Sequence, residues 1–282
     1  MKNSYKNNKI SAIILTYNEE IHIDRCIKSL KNFVKEIIII DSNSNDKTIE
    51  ICKKNHIRIY QNKFINQANQ MNWALKNVNI KSKWIFRIDA DEIVEKNFFN
   101  KIKGIIESKI DISGIIIERK IKFFNKIINY GLTSPHKTLR IWKNGSGKYQ
   151  KINVDEQVAV MGKIAISKAI IIDHNLKNFS WWLKKHKNYA FREAESYFTY
   201  KKKYNYKKIT FNDTSKIKQN KKFRIYYKLP IFIRPILLFM YSYFVKFGFL
   251  SGVRGLIFYF FQTLWYRMLV DIFIFKKYFF KT

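Results

Sequence analysis

The sequence predicts an α/β protein with a mostly parallel central sheet and helices on both faces of that sheet. Within residues 1–110, short isoleucine-rich apolar runs alternate with amphipathic stretches. Each apolar run has the length and composition of a buried parallel strand. Strands that alternate with helices form parallel sheets through crossover connections, so the order of the elements supports the same fold class.

Four strands and three helices follow from this pattern. The strands are predicted at Ile10–Leu15, Glu36–Ile40, Ile57–Tyr60 and Trp84–Ile88. The helices are predicted between them at Glu19–Asn32, Asp46–Lys54 and Ile65–Asn77, with Asp46 in position to cap the second helix. All seven elements belong to the first half of one domain in this interpretation.

The alternation weakens after Asp91, and residues 112–175 are interpreted as a mixed second half of the same domain. The predicted elements here are a helix at Lys96–Lys109, a strand at Ile112–Ile121, a loop region to Gly147, a strand at Lys163–Ile172 and a long basic helix at Phe179–Lys203. The domain is therefore expected to cover residues 1–204. A Lys/Asn-rich linker is expected at 205–228.

Residues 229–282 are expected to form an apolar and basic helical region. Two apolar stretches, Leu229–Phe247 and Leu256–Phe275, are separated by a predicted turn at Gly248–Gly255. Arg234 and Pro235 interrupt the first stretch, and Gln262, Arg267 and Asp271 interrupt the second. These interruptions favour helices lying on a membrane over helices that cross it. A helical hairpin packed on the catalytic domain or forming a dimer stays open, and the oligomeric state is not predicted.

The charge distribution points to an anionic partner. The net charge is +33, and residues 201–282 hold 18 basic and 2 acidic residues. Because this segment is also rich in aromatic residues, it suits a membrane surface or a nucleic acid. The two cysteines, Cys26 and Cys52, have no metal-ligand spacing around them, so we expect them to be reduced and the protein to lie on the cytosolic side.

An acidic pair provides the strongest chemical signal. Asp89 and Asp91 flank Ala90 directly after the predicted strand Trp84–Ile88, and Glu92 follows. Two carboxylates at a strand end can share a divalent cation, which in turn can hold a diphosphate. Ligands of open α/β sheets bind beyond the carboxyl ends of the strands, so the position supports this interpretation.

Two further segments end strands on the same predicted edge. Ile13–Leu15 leads into Thr16-Tyr17-Asn18-Glu19-Glu20, and Ile37–Ile40 leads into Asp41-Ser42-Asn43-Ser44-Asn45-Asp46-Lys47-Thr48. The first offers a hydroxyl, an aromatic face and an amide, which suit a nucleobase and a ribose. The second offers a carboxylate that can accept a hydrogen bond from a base N–H group.

Together, these three motifs resemble the family 2 glycosyltransferases, which have the Rossmann-like GT-A fold. The resemblance covers about residues 9–200. Within this family, one branch adds single sugars to lipopolysaccharide core or related surface glycans. The motifs of that branch resemble Gln70-Met71-Asn72 and Asp89-Ala90-Asp91-Glu92. The Gln-x-x-Arg-Trp signature of the processive synthases in this family does not occur in the sequence.

The resemblance implies a nucleoside diphosphate sugar donor, with UDP favoured, and Mn²⁺ or Mg²⁺ as cofactor. It implies that Thr16, Tyr17 and Asp41 contact the nucleobase, that Asp89 contacts the ribose or the metal, and that Asp91 binds the metal. The other expected nucleotide-binding residues are Asn18, Glu20, Ser44, Gln70 and Asn72. A histidine after a strand in this family can approach the metal or the diphosphate, although chemistry alone favours a core or surface histidine at His174.

An inverting transfer to a hydroxyl also needs a general base. The candidates are Asp155 and Glu156, of which Glu156 is favoured. Arg140 matches a family position on the acceptor and phosphate side, where a cation would balance diphosphate charge, although it could equally be a surface strand residue.

The expected activity is transfer of one sugar to a lipid-linked or lipopolysaccharide-type glycan, at the cytoplasmic face of the inner membrane. A transferase of the same fold that acts on a polyprenyl phosphate is the nearest alternative. A basic nucleic-acid-binding protein is disfavoured because no nucleic-acid module occurs and the strand-end carboxylates would repel phosphate. A scaffold that has lost catalysis is disfavoured by the intact acidic motif.

Overall fold

A computed structural model of the chain describes residues 7–149, 158–204 and 225–279. These residues form two compact units. The first contains residues 7–122, 135–149 and 158–176, and the second contains residues 123–134, 177–204 and 225–279. The candidate site residues that the structure describes all lie in the first unit.

The first unit is built on one large mixed sheet. The strands of the chain are β1 (Asn7–Thr16), β2 (Val34–Asp41), β3 (Arg58–Gln61), β4 (Trp84–Asp89), β5 (Glu92–Val94), β6 (Ile112–Phe123), β7 (Lys126–Ile128), β8 (His136–Lys143), β9 (Gly147–Tyr149), β10 (Val158–Val160) and β11 (Lys163–Asp173). The order across the main sheet is β3-β2-β1-β4-β8-β6-β11-β5. Strands β9 and β10 form a separate antiparallel pair.

Strands β1 to β4 form the parallel half of the sheet, as predicted. β1 lies between β2 and β4, with Thr16 opposite Asp41 and Leu15 opposite Asp89. The carboxyl ends of these three strands therefore coincide at one edge. The loops that follow them begin at this edge, which is where the sequence motifs were found.

Helices cover both faces of this half, which confirms the α/β prediction. Helices α1 (Ile23–Leu30), α2 (Thr48–Lys54) and α4 (Phe98–Ile106) pack with Ile14 and Ile39 on one face. Helix α3 (Gln67–Asn77) packs with Ile13 and Ile38 on the other face. Successive side chains of a strand point to opposite faces, so the isoleucine-rich runs supply both cores.

The predicted loop region up to Gly147 is wrong, because it contains the central strand β8. β8 pairs antiparallel with β4 on one side and with β6 on the other. The short strand β5 was also not predicted; it pairs antiparallel with β11. Both strands depend on partners distant in the sequence, which local hydrophobic patterns do not reveal, and β5 has only three residues.

The second unit contains the C-terminal helices. They are α5 (Phe179–Tyr204), α6 (Ile233–Met240), α7 (Gly252–Tyr259) and α8 (Tyr266–Phe279), with π-helical turns at Tyr241–Val245 and Phe260–Trp265 and short 3-10 turns at Tyr226–Lys228 and Gly248–Ser251. The sequence interpretation placed α5 in the catalytic domain. The boundary at residue 204 stays a prediction.

The predicted turn at Gly248–Gly255 is wrong, because these residues are mostly helical. The preceding helical segment ends at Val245, Phe247 has a left-handed φ of 59°, and helical turns resume at Gly248. A Cβ atom on Gly248 would lie 2.9 Å from the carbonyl oxygen of Ser242. The glycine therefore serves close packing between the two helices.

One helix of the described residues, Gly248–Phe279, is long and apolar enough to cross a membrane by length and composition, and 39% of its most apolar window is buried in the protein. A core helix of a soluble protein meets the same criterion.

Candidate active site

The loops after β1 and β2 are tied together through Asp41. The Thr16 hydroxyl donates to Asp41 Oδ1 at 2.8 Å, and Ser44 donates to the same carboxylate from its backbone N–H (2.8 Å) and its hydroxyl (2.6 Å). Asp41 is fully buried. The carboxylate therefore organises the turn after β2, as well as being the group we expect beside a nucleobase.

Three other predicted nucleotide-binding residues connect the same two loops. The hydroxyl of Ser44 accepts from the backbone N–H of Asn18, whose side chain accepts from the N–H of Asn45. Glu20 accepts from the N–H of Lys47. The side chains of Asn18, Glu20 and Ser44 thus hold the loops in register. Tyr17, by contrast, is 57% exposed and presents its ring at the surface of the loop.

Gln70 and Asn72 have their polar groups directed into the protein. Gln70 is fully buried; its side chain accepts from the Asn62 amide and donates to the Asn62 carbonyl oxygen and to the Ser42 hydroxyl. Asn72 donates to the carbonyl oxygen of Tyr149 at 2.8 Å and accepts from its N–H at 2.9 Å. These contacts fasten the loop after β3 and strand β9 to helix α3. The side-chain amides of Gln70 and Asn72 therefore have hydrogen-bond partners within the protein.

We predict that Asn72→Ala lowers the free energy of unfolding by about 1–3 kcal/mol, because it leaves the backbone groups of Tyr149 without partners. Urea unfolding measures this loss. Asn77→Ala is the matched control, since the Asn77 side chain is exposed and bonds only to its own helix, at Trp73. If Asn72→Ala weakens nucleotide binding and leaves stability unchanged, the structural role of Asn72 is contradicted.

Asp89 lies in a row of charged side chains that crosses five neighbouring strands. The carboxylate accepts from Arg87 at 2.6 Å through Oδ1 and from Arg140 at 3.0 Å through Oδ2. Although burial acts in the opposite direction, the charges of Arg87 and Arg140 hold the pKa of Asp89 well below its usual range. Asp89 is therefore ionised, and both of its oxygens are engaged by arginines.

Arg140 and Glu92 form the buried centre of this row. Arg140 on β8 donates to Glu92 Oε1 at 2.7 Å, and Glu92 Oε2 accepts from the backbone N–H of Asp89 at 2.9 Å. Burial raises the pKa of Glu92 to about 7, against the attraction of Arg140. Arg119 and Asp173 complete the row with a hydrogen bond of 2.9 Å.

The structure excludes one of the two interpretations of Arg140, that of a surface strand residue, and its role beside a diphosphate stays a prediction. Arg140 is only 5% exposed, so it is not a surface residue. Its Nε and Nη1 atoms have no hydrogen-bond partner among the residues that the structure describes. The guanidinium therefore has N–H groups left over after pairing with Asp89 and Glu92.

Asp91 has different neighbours from Asp89. Its Oδ2 accepts from the side chain of Asn175 at 3.1 Å, and its backbone carbonyl accepts from Arg25 at 3.1 Å and from the N–H of His174 at 3.0 Å. The residues that follow β11 are thereby fixed beside the acidic motif. Because β5 pairs with β11, this contact is a direct result of the sheet topology.

Arg25 also determines the form of His174. Its Nη1 lies 2.8 Å from His174 Nδ1, and a guanidinium can only donate, so Nδ1 is the acceptor. Burial, with the charges of Lys122 and Arg25, lowers the pKa of His174 to about 4. The ring is thus neutral, with its hydrogen on Nε2. An Nε2–H group suits a phosphate oxygen better than a metal ion.

The residues fit a divalent cation that takes most of its ligands from a substrate. Asp91 is half-buried, and one of its carboxylate oxygens is not engaged by Asn175. Mg²⁺ is commonly held by one or two carboxylates together with substrate phosphates. No group of three or more potential metal ligands occurs in the described part of the chain, so the protein alone does not provide a closed metal cage there.

Asp155 and Glu156, the predicted general bases, lie outside the described residues. The structure also brings to the acidic motif four charged residues that were not predicted as site residues: Arg25, Arg87, Arg119 and Asp173. The sequence could have indicated Arg87, because a charged residue within the otherwise apolar strand Trp84–Ile88 needs a buried partner. It gave no such indication for Arg25, since an arginine on an amphipathic helix is ordinarily solvated.

The chain was compared with known proteins. The family model described as "Glycosyl transferase family 2" matches residues 11–171. An uncharacterized glycosyltransferase of Rickettsia bellii is 37% identical over 101 residues, which are 36% of this chain and 34% of that protein. The lipopolysaccharide core biosynthesis glycosyltransferase LpsC of Rhizobium meliloti is 30% identical over 149 residues, 50% of this chain and 53% of LpsC.

The matches therefore span about a third to a half of the length of these relatives. Among solved structures, S. aureus TarS matches 64% of this chain and 39% of its own chain at 16% identity, with a TM-score of 0.42. Glucosyl-3-phosphoglycerate synthase from Mycobacterium tuberculosis, in complex with Mn²⁺ and UDP, matches 40% of this chain and 44% of its own at 19% identity, with a TM-score of 0.35.

Proposed function

The chain belongs to glycosyl transferase family 2, and on this premise we propose that it transfers one sugar from a nucleoside diphosphate sugar to a membrane-bound glycan. One observation carries the proposal: the loops after β1, β2 and β4 begin at one edge of the sheet, with Thr16 beside Asp41 and Leu15 beside Asp89. The name of LpsC supports lipopolysaccharide or a related surface polysaccharide as the product.

We propose a UDP-sugar as the donor. The nucleobase would stack on the exposed ring of Tyr17, and Thr16 and Asp41 would lie beneath it. Asp41 already accepts three hydrogen bonds from the protein, and an ionised carboxylate has about four acceptor positions, so one position is left for a base N–H group. Uracil offers such a group.

The diphosphate would lie beside Asp91, His174 and Arg140. Asp91 would hold Mn²⁺ or Mg²⁺, with Asp89 close by on the strand end. The cation, when bound, would stabilise the negative charge that develops on the departing nucleoside diphosphate. His174 would donate from Nε2, and the unpaired N–H groups of Arg140 would add positive charge on the same side.

A hydroxyl acceptor requires deprotonation, and we propose Glu156 as the base, with Asp155 as the alternative. Glu156→Gln is then expected to slow transfer by about 100-fold or more, because the amide cannot accept the proton. Initial rates at saturating donor measure this effect, with the exposed Glu107→Gln as control. A polyprenyl phosphate acceptor is already an anion, so an unchanged rate in Glu156→Gln would support that acceptor.

Calorimetric titration tests the donor site directly. The purified chain is titrated with UDP, GDP, dTDP and CMP, each with and without Mn²⁺. We expect metal-dependent binding of UDP. If none of the four nucleotides binds in either condition, the proposed function is contradicted. If a nucleotide other than UDP binds, the donor is a sugar carried by that nucleotide.

We also propose a peripheral or monotopic location on the cytoplasmic face of the inner membrane. The net charge of +33 and the name of LpsC support this location. The acceptor would be lipid-linked or part of lipopolysaccharide, which places it in the same membrane.

A further inference from the structure

Helix α6 and the π-helical turn that continues it direct their apolar stripe outward. Large apolar residues recur at intervals of three and four, and each is between 41% and 59% exposed: Ile233, Ile236, Leu237, Met240, Tyr241, Phe244 and Val245. The buried residues of the same segment are Arg234, Pro235 and Ser242. A helix of a soluble protein ordinarily buries its apolar stripe. Here the arrangement is reversed.

The next helix shows a similar outward stripe. Phe249, Val253, Leu256 and Phe260 recur at helical spacing and are exposed by 42%, 74%, 41% and 42%. Gly248 and Gly255 lie on the buried side. The close approach of Gly248 to Ser242 brings the two helices together. We call residues 233–260 the apolar hairpin.

The basic and acidic residues that interrupt the apolar stretches are paired inside the second unit. Arg234 forms hydrogen bonds with Asp271 at 2.9 and 3.1 Å through Nε, and both side chains are buried. Arg267 bonds to Glu193 at 2.5 Å. These pairs point the charges inward and leave apolar atoms outside. This explains why charged residues occur in stretches whose outer surface is apolar.

The charges that do lie outside on the apolar hairpin are positive. Lys246 and Arg254 are both exposed. The sequence contains no Asp or Glu from residue 225 to residue 270. An apolar surface bordered by cations complements the interface of an anionic lipid leaflet, where acyl chains and acidic head groups meet.

The long helix Gly248–Phe279 does not present an apolar surface along its whole length. In its second half, Tyr266, Val270 and Ile274 pack against Ala190 and Ala194 of α5 in a buried cluster. This half is committed to the core of the second unit. Only the first half is left to meet lipid, which is too short to cross a bilayer.

Phe247, at the tip of the apolar hairpin, has a left-handed backbone. Its φ is 59° and its side chain is 56% exposed. A bulky residue pays a conformational cost at such a position, where glycine or asparagine is usual. The retention of an exposed phenylalanine there fits a contact outside the protein.

We propose that the apolar hairpin inserts its outer surface into the interfacial layer of an anionic membrane, without crossing it. This proposal rests on the proposed function, because the apolar hairpin would be the surface by which the enzyme reaches a lipid-linked acceptor. Its occupant is the lipid leaflet itself. Insertion does not require donor binding or transfer, so the two can be tested apart.

Fluorescence from a single labelled position tests insertion. Leu250→Cys on the full chain carries an environment-sensitive NBD group, and the native Cys26 and Cys52 are buried and not labelled. The control is Ile110→Cys, at an apolar residue of the first unit that is 65% exposed. Neutral vesicles contain phosphatidylcholine alone, and anionic vesicles contain phosphatidylcholine with about 30% phosphatidylglycerol.

We expect a blue shift for the label at 250 with anionic vesicles, stronger quenching by shallow than by mid-bilayer quenchers, and no shift for the label at 110. An unchanged spectrum at 250 would overturn the proposal. A blue shift without vesicles that grows with protein concentration would instead identify a second copy of the chain as the occupant. Stronger quenching at mid-bilayer depth would indicate a span.

Phe247→Gly separates insertion from folding. Loss of the ring is expected to weaken binding to anionic vesicles by at least about tenfold, from the transfer free energy of a buried aromatic side chain. The thermal midpoint should stay the same or rise, because glycine adopts positive φ readily. Phe124→Gly is the matched control: its φ is 43°, it is 51% exposed, and it lies outside the apolar hairpin.

Vesicle binding that is equal in Phe247→Gly, Phe124→Gly and the parent chain would overturn the role of the tip. Lys246→Gln and Arg254→Gln should each weaken binding to anionic vesicles about fivefold at low salt and have little effect on neutral ones. UDP calorimetry on the same variants should be unchanged. Failure of vesicle binding with intact UDP binding would therefore reject the docking surface and leave the proposed function standing.

Discussion

Replacement of Asp91 by asparagine is expected to abolish metal-dependent transfer, with a loss of roughly 1,000-fold or more. Among the described residues, no arginine donates a hydrogen bond to the carboxylate of Asp91. At Asp91, Arg25 donates only to the backbone carbonyl, and Asn175 donates to Oδ2. An amide in its place is a poor ligand for a divalent cation. Several kcal/mol of transition-state stabilisation would be lost with the cation, which corresponds to at least this factor in rate.

The measurement combines initial rates with calorimetric titration of UDP in the presence of Mn²⁺. Asp111→Asn is the matched control, because Asp111 is an exposed carboxylate that pairs only with Lys143 at the surface. The thermal midpoint of Asp91→Asn should stay close to that of the parent chain. A variant that keeps most of its activity and its Mn²⁺-dependent binding would remove Asp91 from the metal site.

The parallel half of the sheet was predictable because its signal is local. β1, β2 and β4 are buried on both faces, so each is a continuous apolar run that stands out in the sequence. The polar residues that follow them meet at one edge by the geometry of parallel strands alone. The sequence alone therefore predicts that Thr16, Asp41 and Asp89 lie at the same edge of the sheet.

The second half of the sheet was not predictable in the same way. β8 is inserted between β4 and β6, and its pairing depends on residues from 17 positions away (Arg119 with His136) to 59 positions away (Trp84 with Lys143). Its sequence, with Lys137, Arg140 and Lys143, resembles a polar segment until the partners of Arg140 are known. The charged row follows from this insertion, so Arg119 and Asp173 could not be connected to Asp89 beforehand.

Residue type also proved a weak guide to which polar side chains would face a ligand. Asn18 and Ser44 are short polar residues in the expected loops, and Asn72 lies on helix α3, yet each bonds to the backbone of another part of the chain. Loops that must hold a fixed shape need such bonds to satisfy their backbone groups. A polar residue at a strand end therefore serves the shape of the site before it serves a ligand.

Arg140→Met is expected to lower the free energy of unfolding by about 3–5 kcal/mol. Methionine fills similar volume but leaves the buried Glu92 with only the more distant Arg119, whose Nη1 lies 4.0 Å from Glu92 Oε1. It also removes one of the two arginines that bond to Asp89. Urea unfolding at neutral pH measures the loss. Lys143→Met on the same strand is the control, because Lys143 pairs with a carboxylate that is 87% exposed, and such surface pairs contribute about 0–1 kcal/mol.

A double variant separates the charge pair from simple packing. Glu92→Gln keeps an oxygen that can accept from the N–H of Asp89 and removes the buried charge. If the cost of Arg140→Met comes from the unpaired carboxylate, the double variant should be more stable than the sum of the two single losses by at least about 1 kcal/mol. Strict additivity would mean that the two residues act independently, and that Arg140 stabilises β8 through its packing alone. In that case the acidic motif would not depend on the charged row for its position, and Asp91 would be held by Arg25 and by the residues after β11.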